Sequence, residues 1–150
     1  MDGSTGMWGR AVVSGLAGTV VMTAFQRLVE MPLTGRGDSF APANLVERVL
    51  PVPETGERGR RGLNWVAHFA LGGMWGAAFA AALAAGVRRQ RAVHAVFAVV
   101  YVGDVVLNTA LGLYQPRRWS AQDWAVDLVD KYVQAQATGL ILGRISGARR

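Results

Sequence analysis

The sequence predicts an all-α membrane protein: an up-down bundle of four transmembrane helices in one integral membrane domain over residues 1–150, with a short amphipathic interfacial helix in the first loop. Three observations carry that expectation. Hydrophobic residues make up 51% of the chain and the mean hydropathy is positive, above the usual range for a soluble domain. These residues gather into four blocks, Trp8 to Met31, Leu63 to Gly86, Ala92 to Tyr114 and Ala121 to Ile145, each close to the ~20 residues that a hydrocarbon core of ~30 Å demands at 1.5 Å rise per residue. The basic residues fall mainly at the block ends, where they act as topology determinants.

The first block, 8–31, opens with Arg10 and an apolar run like the front of a signal peptide, but Gln26-Arg27-Leu28-Val29-Glu30-Met31 offers no small-x-small cleavage site. It is therefore expected as a retained helix. The connection Pro32 to Gly62 is the one long loop. Within it Asn44 to Leu50 alternates apolar Leu45, Val46, Val49 and Leu50 with polar Asn44, Glu47 and Arg48, which predicts a short helix on the membrane surface, stopped by Pro51 and Pro53. The second block, 63–86, carries Gly72 and Gly76, a GxxxG step that lets a neighbouring backbone approach closely. The turn at Arg88, Arg89 and Arg91 leads into the third block, 92–114, and the turn at Pro116, Arg117 and Arg118 into the fourth, 121–145. Such short turns make successive helices antiparallel.

Basic residues divide evenly between the two sides, seven against seven, so the short turn at Arg88 to Arg91 weighs more than the long first loop and puts both termini in the cytoplasm. Arginine supplies all but one of the 16 basic residues, which with abundant alanine and glycine points to a GC-rich bacterial genome. No cysteine is present, which excludes disulfides, thiolate metal sites and cysteine nucleophiles. The net charge of +6 sits at helix ends and not in a stripe, so nucleic acid is not an expected partner. The expected partners are the lipid bilayer and either further copies of this chain or another membrane protein.

Polar residues inside the blocks are the candidate functional groups, because an ionisable side chain in a span costs several kcal/mol unless it is paired or watered. In the fourth block Asp123, Asp127, Asp130 and Gln134 are spaced 4, 3 and 4, which at 3.6 residues per turn keeps them within about 60° of one face. Lys131 flanks them. In the third, His94, Tyr101 and Asn108 are seven apart with Asp104 between them. In the first, Thr19, Thr23, Gln26, Arg27 and Glu30 share a face, and in the second Asn64 and His68 stand one turn apart. Antiparallel packing brings all of these but His94 to the half of the bundle beneath the first and third loops. There five carboxylates (Glu30, Asp104, Asp123, Asp127, Asp130) meet two cationic partners, Arg27 and Lys131, and the excess must be watered, partly protonated or cation-bound. Asn64, His68, Tyr101, Asn108 and Gln134 complete the polar interior. Structural hydrogen bonding between helices is an equal alternative for the polar residues of the first three blocks. For the fourth, the alternative is a first half projecting into water, with Asp123 favoured by the helix dipole. No HxxxH, HExxH, P-loop or nucleophile-elbow spacing occurs, so no catalytic residues, metal ligands or cofactor are expected.

Gly15 to Thr23 leading to Glu30-Met31-Pro32-Leu33, then Asn64-Trp65-Val66-Ala67-His68 with Gly72, Gly73 and Gly76, and Leu111-Gly112-Leu113 before Pro116 and Trp119 are similar to the YagU-like family of small bacterial inner-membrane proteins. That family's proline-proline-arginine stretch is replaced here by Thr34-Gly35-Arg36. The resemblance implies an integral inner-membrane protein linked to acid tolerance, and supplies no catalytic residues. Two functions are expected from the residues themselves: a protein responsive to protons or cations through its acidic half-bundle, or a non-catalytic accessory or scaffold subunit of a membrane complex.

Overall fold

The computed structural model describes residues 2–53 and 56–147, and the regular structure of the described residues is entirely helical. Helix α1 (Asp2–Phe25) widens into a π turn at Gln26–Glu30 and continues as α2 (Met31–Thr34), so one rod runs three residues past the predicted end at Met31. Pro32 accounts for the wide turn. It has no N–H to donate and its ring would press on the carbonyl four residues back, so the chain lets the Met31 N–H reach Gln26 O instead. Gly35, at φ 68°, ends the rod.

Helix α3 (Ala41–Val49) is the short amphipathic segment of the first loop. Its N-terminal turn is fastened to the bundle by Asn64, whose Oδ1 accepts from the Ala43 N–H at 3.1 Å and whose Nδ2 donates to Ser39 O at 3.0 Å. Helix α4 (Glu57–Ala84) starts before the predicted Leu63, because Glu57 suits the positive end of the helix dipole and Arg60 is held by Glu47 and Asn44 of α3. Helix α5 (Arg89–Ala110) stops short of the predicted Tyr114. Gly112 turns the chain at φ 75°, and the Leu113 and Tyr114 N–H groups both return to Asn108 O. Helix α6 (Ala121–Gly147) completes the chain.

Three helical stretches, Gly6–Thr34, Glu57–Ala84 and Arg89–Ala110, are long and apolar enough to cross a membrane. The chain is thus an all-α, multi-pass membrane protein. The fourth predicted span differs: α6 is 27 residues long, but Asp123, Asp127, Asp130 and Lys131 in its first half leave it more polar than the other three.

Helix α1 packs along both α4 and α6, and α5 closes the opposite side against the same two helices. Contacts run antiparallel, Gly15 meeting Gly76 while Thr23 meets His68, and Gly15 meeting Gln134 while Gln26 meets Asp130. The α1–α4 seam is a backbone contact, since a Cβ on Gly76 would fall on the Ala11 carbonyl and one on Gly15 on the Gly72 carbonyl. Towards the α4–α5 turn the interior is apolar, built on Phe79, Val93, Val96 and Leu142. Towards the first loop it becomes polar: Thr19, Asn108, Asp130, Gln134 and Thr138 are all buried. The outside is the reverse, with Val20, Leu28, Val66, Val99, Val106 and Leu140 exposed.

Candidate functional site: a polar cavity in one half of the bundle

The polar half holds a partly open cavity of about 450 Å³ beneath the first loop, with walls from the first rod, α4, α5 and α6 and a partial cover from α3 and its approach. Each wall contributes by helical phase. From α1 come Thr19, Thr23, Gln26 and Glu30; from α4, Asn64, His68 and Trp75; from α5, Asp104 and Asn108; from α6, Asp127, Asp130, Lys131 and Gln134.

Lys131 is the hub of one wall. Its Nζ lies 2.9 Å from Asp104 Oδ2, pairs also with Asp127 Oδ1 one turn earlier on α6, and sits 5.4 Å from the Tyr101 ring and 5.8 Å from the Tyr114 ring. Two carboxylates and two aromatic faces are the environment a desolvated ammonium needs. Asn108 steadies the arrangement by donating from Nδ2 to Asp104 Oδ1 at 2.9 Å and to the Asp104 carbonyl at 3.0 Å. Tyr114 lies beyond the end of α5. Burial pushes its hydroxyl up to about 12, Lys131 opposing and Asp104 and Asp127 adding to the shift.

Asp130 stands apart from that network. Only 7% exposed, it accepts on Oδ2 from Gln26 Nε2 at 2.6 Å, and its buried Oδ1 has no hydrogen-bond partner among the described residues. One turn on, Gln134 is 1% exposed; its Nε2 donates to Gly15 O at 3.1 Å and Thr19 Oγ1 at 3.2 Å, while its Oε1 is likewise buried without a partner among the described residues. Across the cavity Thr23 Oγ1 and His68 Nε2 are 2.9 Å apart.

The remaining candidates are distributed differently. Arg27 does not neutralise the acidic cluster: it pairs with Asp38 at 3.2 Å and lies over the Trp65 ring at 5.6 Å, because the residue that reaches Asp130 from this turn is its neighbour Gln26. Among the described residues Lys131 alone therefore pairs with Asp104 and Asp127. Asp123 lies outside the cavity; its Oδ2 accepts from the Ser120 N–H and hydroxyl at 2.9 and 2.7 Å, closing the first turn of α6, and Oδ1 pairs with Arg36 at 3.3 Å. Glu30 accepts from the Thr34 hydroxyl at 2.9 Å. Tyr101 stacks on Phe97 at 5.4 Å, and His94, in the apolar half, on Tyr132 at 6.2 Å. Gly72 and Gly76 serve the seam with α1.

Gln26 was readable as a site residue, since it shares a helical face with Thr19 and Thr23. Tyr114 was not, because the Gly112 turn is what folds it back over Lys131. Among the described residues no three His, Asp or Glu side chains converge as a metal site would require. Comparison with known families, curated proteins and solved structures gives no match.

Proposed function

We propose that this chain is a four-span protein of the bacterial cytoplasmic membrane, both termini cytoplasmic, that responds to protons or small cations through the carboxylates of its internal cavity. The observation that carries the proposal is Asp130: a carboxylate on the cavity wall, nine-tenths buried, with one oxygen unpartnered and no cation in salt-bridge contact among the described residues. Such an anion is costly in a low-dielectric interior, so the site is poised to exchange a proton or to receive a cation.

The fourth span is supported by the way α6 is turned. Asp127, Asp130, Lys131 and Gln134 face inward, whereas Trp124, Leu128, Val129 and Leu140 are exposed. A helix polar inside and apolar outside suits lipid, and in water it would be inverted. Membership in the YagU-like family and its implied acid-tolerance link belong to the same proposal. The scaffold alternative has less behind it, because Gly72 and Gly76, the faces it would use, are occupied by α1.

The test is infrared spectroscopy of the protein in nanodiscs from about pH 5 to 8, a window bracketing a perturbed carboxyl. A protonated-carboxyl C=O band that changes across this range and disappears in Asp130→Asn is the expected result. Identical wild-type spectra throughout would overturn the proton arm, and absence of any monovalent-cation effect on the same spectra would remove the cation arm.

A further inference from the structure

We infer that the cavity is a binding site for a small organic ammonium ion with an apolar body, its N–H groups donating to Asp130 and Gln134. The inference rests on the reading of the cavity given above and deepens it by naming the ligand class. Size is the first ground: about 450 Å³ is far more than a proton or a bare metal ion occupies, and it lies within the range of small-molecule pockets. The walls are the second. Beside the polar groups, Met22, Leu71, Trp75, Val100 and Val126 line the same space, the mixture of apolar surface and few polar anchors that organic ligands use.

Charge and hydrogen bonding then select the ligand. Lys131 is already matched by Asp104 and Asp127, and although Arg27, Arg36 and Arg61 also line the cavity, its five carboxylates exceed its four cations by one. Three buried polar atoms on α6 have no hydrogen-bond partner among the described residues, Asp127 Oδ2, Asp130 Oδ1 and Gln134 Oε1; all are acceptors, and the last two belong to residues one helical turn apart. An ammonium group is a compact cation with several N–H donors, the chemistry that matches such acceptors and neutralises the carboxylate. An anion or a neutral acceptor molecule leaves them unmatched. A divalent metal would want more oxygen ligands than converge here.

Cyclohexylammonium is the probe, with cyclohexanol as its uncharged twin and potassium chloride as the inorganic control, added to the full-length protein in nanodiscs at fixed neutral pH. Trp75 and Trp65 line the cavity, so intrinsic tryptophan fluorescence and the melting temperature both report occupancy. A saturable response to cyclohexylammonium is expected, absent with the other two and weakened about tenfold or more in Asp130→Asn. Equal responses to the amine and the alcohol, or none to the amine, overturn the inference, and wild-type protein alone decides these outcomes if the variant does not fold. Binding without any pH-dependent carboxyl band would uphold this inference while removing the proton arm above; the band without binding would do the opposite.

Discussion

Lys131, the single lysine of the chain, is held more completely than any arginine among the described residues. Its ammonium meets two carboxylates and two tyrosine rings, and the cost of burying it is offset by that enclosure. Tyr114 is the partner whose titration can be read directly. A hydroxyl held protonated by the fold contributes stability that is complete below the unfolded value of about 10 and is lost as pH rises through about 12. Subtracting the tyrosinate absorbance titration of Tyr114→Phe from that of the wild type should therefore isolate a step centred near 12. A step near the ordinary tyrosine value of about 10 would show that Tyr114 is open to water and not packed on Lys131. At this scale the sequence was informative about which residues share a face and silent about pairing. Helical phase brought Asp127, Asp130 and Lys131 together on paper. That Arg27 answers Asp38 and not the cluster depends on side-chain reach around a π turn, which phase alone does not encode.

The helices differ in how closely they can be approached, and glycines mark where. At Gly76 an added methyl collides with the Ala11 backbone of α1, whereas at Gly103 nothing lies within 4 Å. Alanine is the better helix former by about 1 kcal/mol. Gly103→Ala should accordingly be neutral or raise the melting temperature slightly, while at Gly76 the backbone clash outweighs the propensity gain and Gly76→Ala should lower stability by about 1–3 kcal/mol. Thermal melts of the two purified variants check this, and a stabilised Gly76→Ala would mean that α1 and α4 are not in backbone contact. The existence and order of the helices were legible from the apolar blocks and short turns. Their ends were less so, because apolarity marks what lipid requires and helix geometry follows local chemistry: a dipole-favoured Glu57 extends α4 outward, and Gly112 stops α5 early.

For the whole molecule, the distribution of polarity is the governing fact: buried Thr19, Asn108, Asp130, Gln134 and Thr138 inside, valines and leucines outside. Whether α6 crosses the bilayer is decided by where its ends lie. With no native cysteine to interfere, single substitutions Gly56→Cys, Gln90→Cys, Gln115→Cys and Ser146→Cys can be labelled in intact cells with an impermeant thiol reagent. Positions 56 and 115 should react from one side and 90 and 146 from the other. Labelling of 115 and 146 from the same face would leave α6 uncrossed and remove the four-span proposal.

The order of the helices, with α6 after the other three spanning stretches, has a consequence for how the protein is made. Apart from the Lys131–Asp127 pair within α6 itself, the contacts that offset its polar groups lie upstream: Gln26 and Gly15 on the first rod, Asp104 and the Tyr101 and Tyr114 rings on and just beyond α5. Synthesis runs from the N-terminus, so these partners are in the membrane before Asp127, Asp130 and Lys131 leave the ribosome. Under the four-span proposal the most polar helix thus meets partners already made, and the same four helices translated with α6 first would present lipid with three charges and only the Asp127–Lys131 pair to offset them.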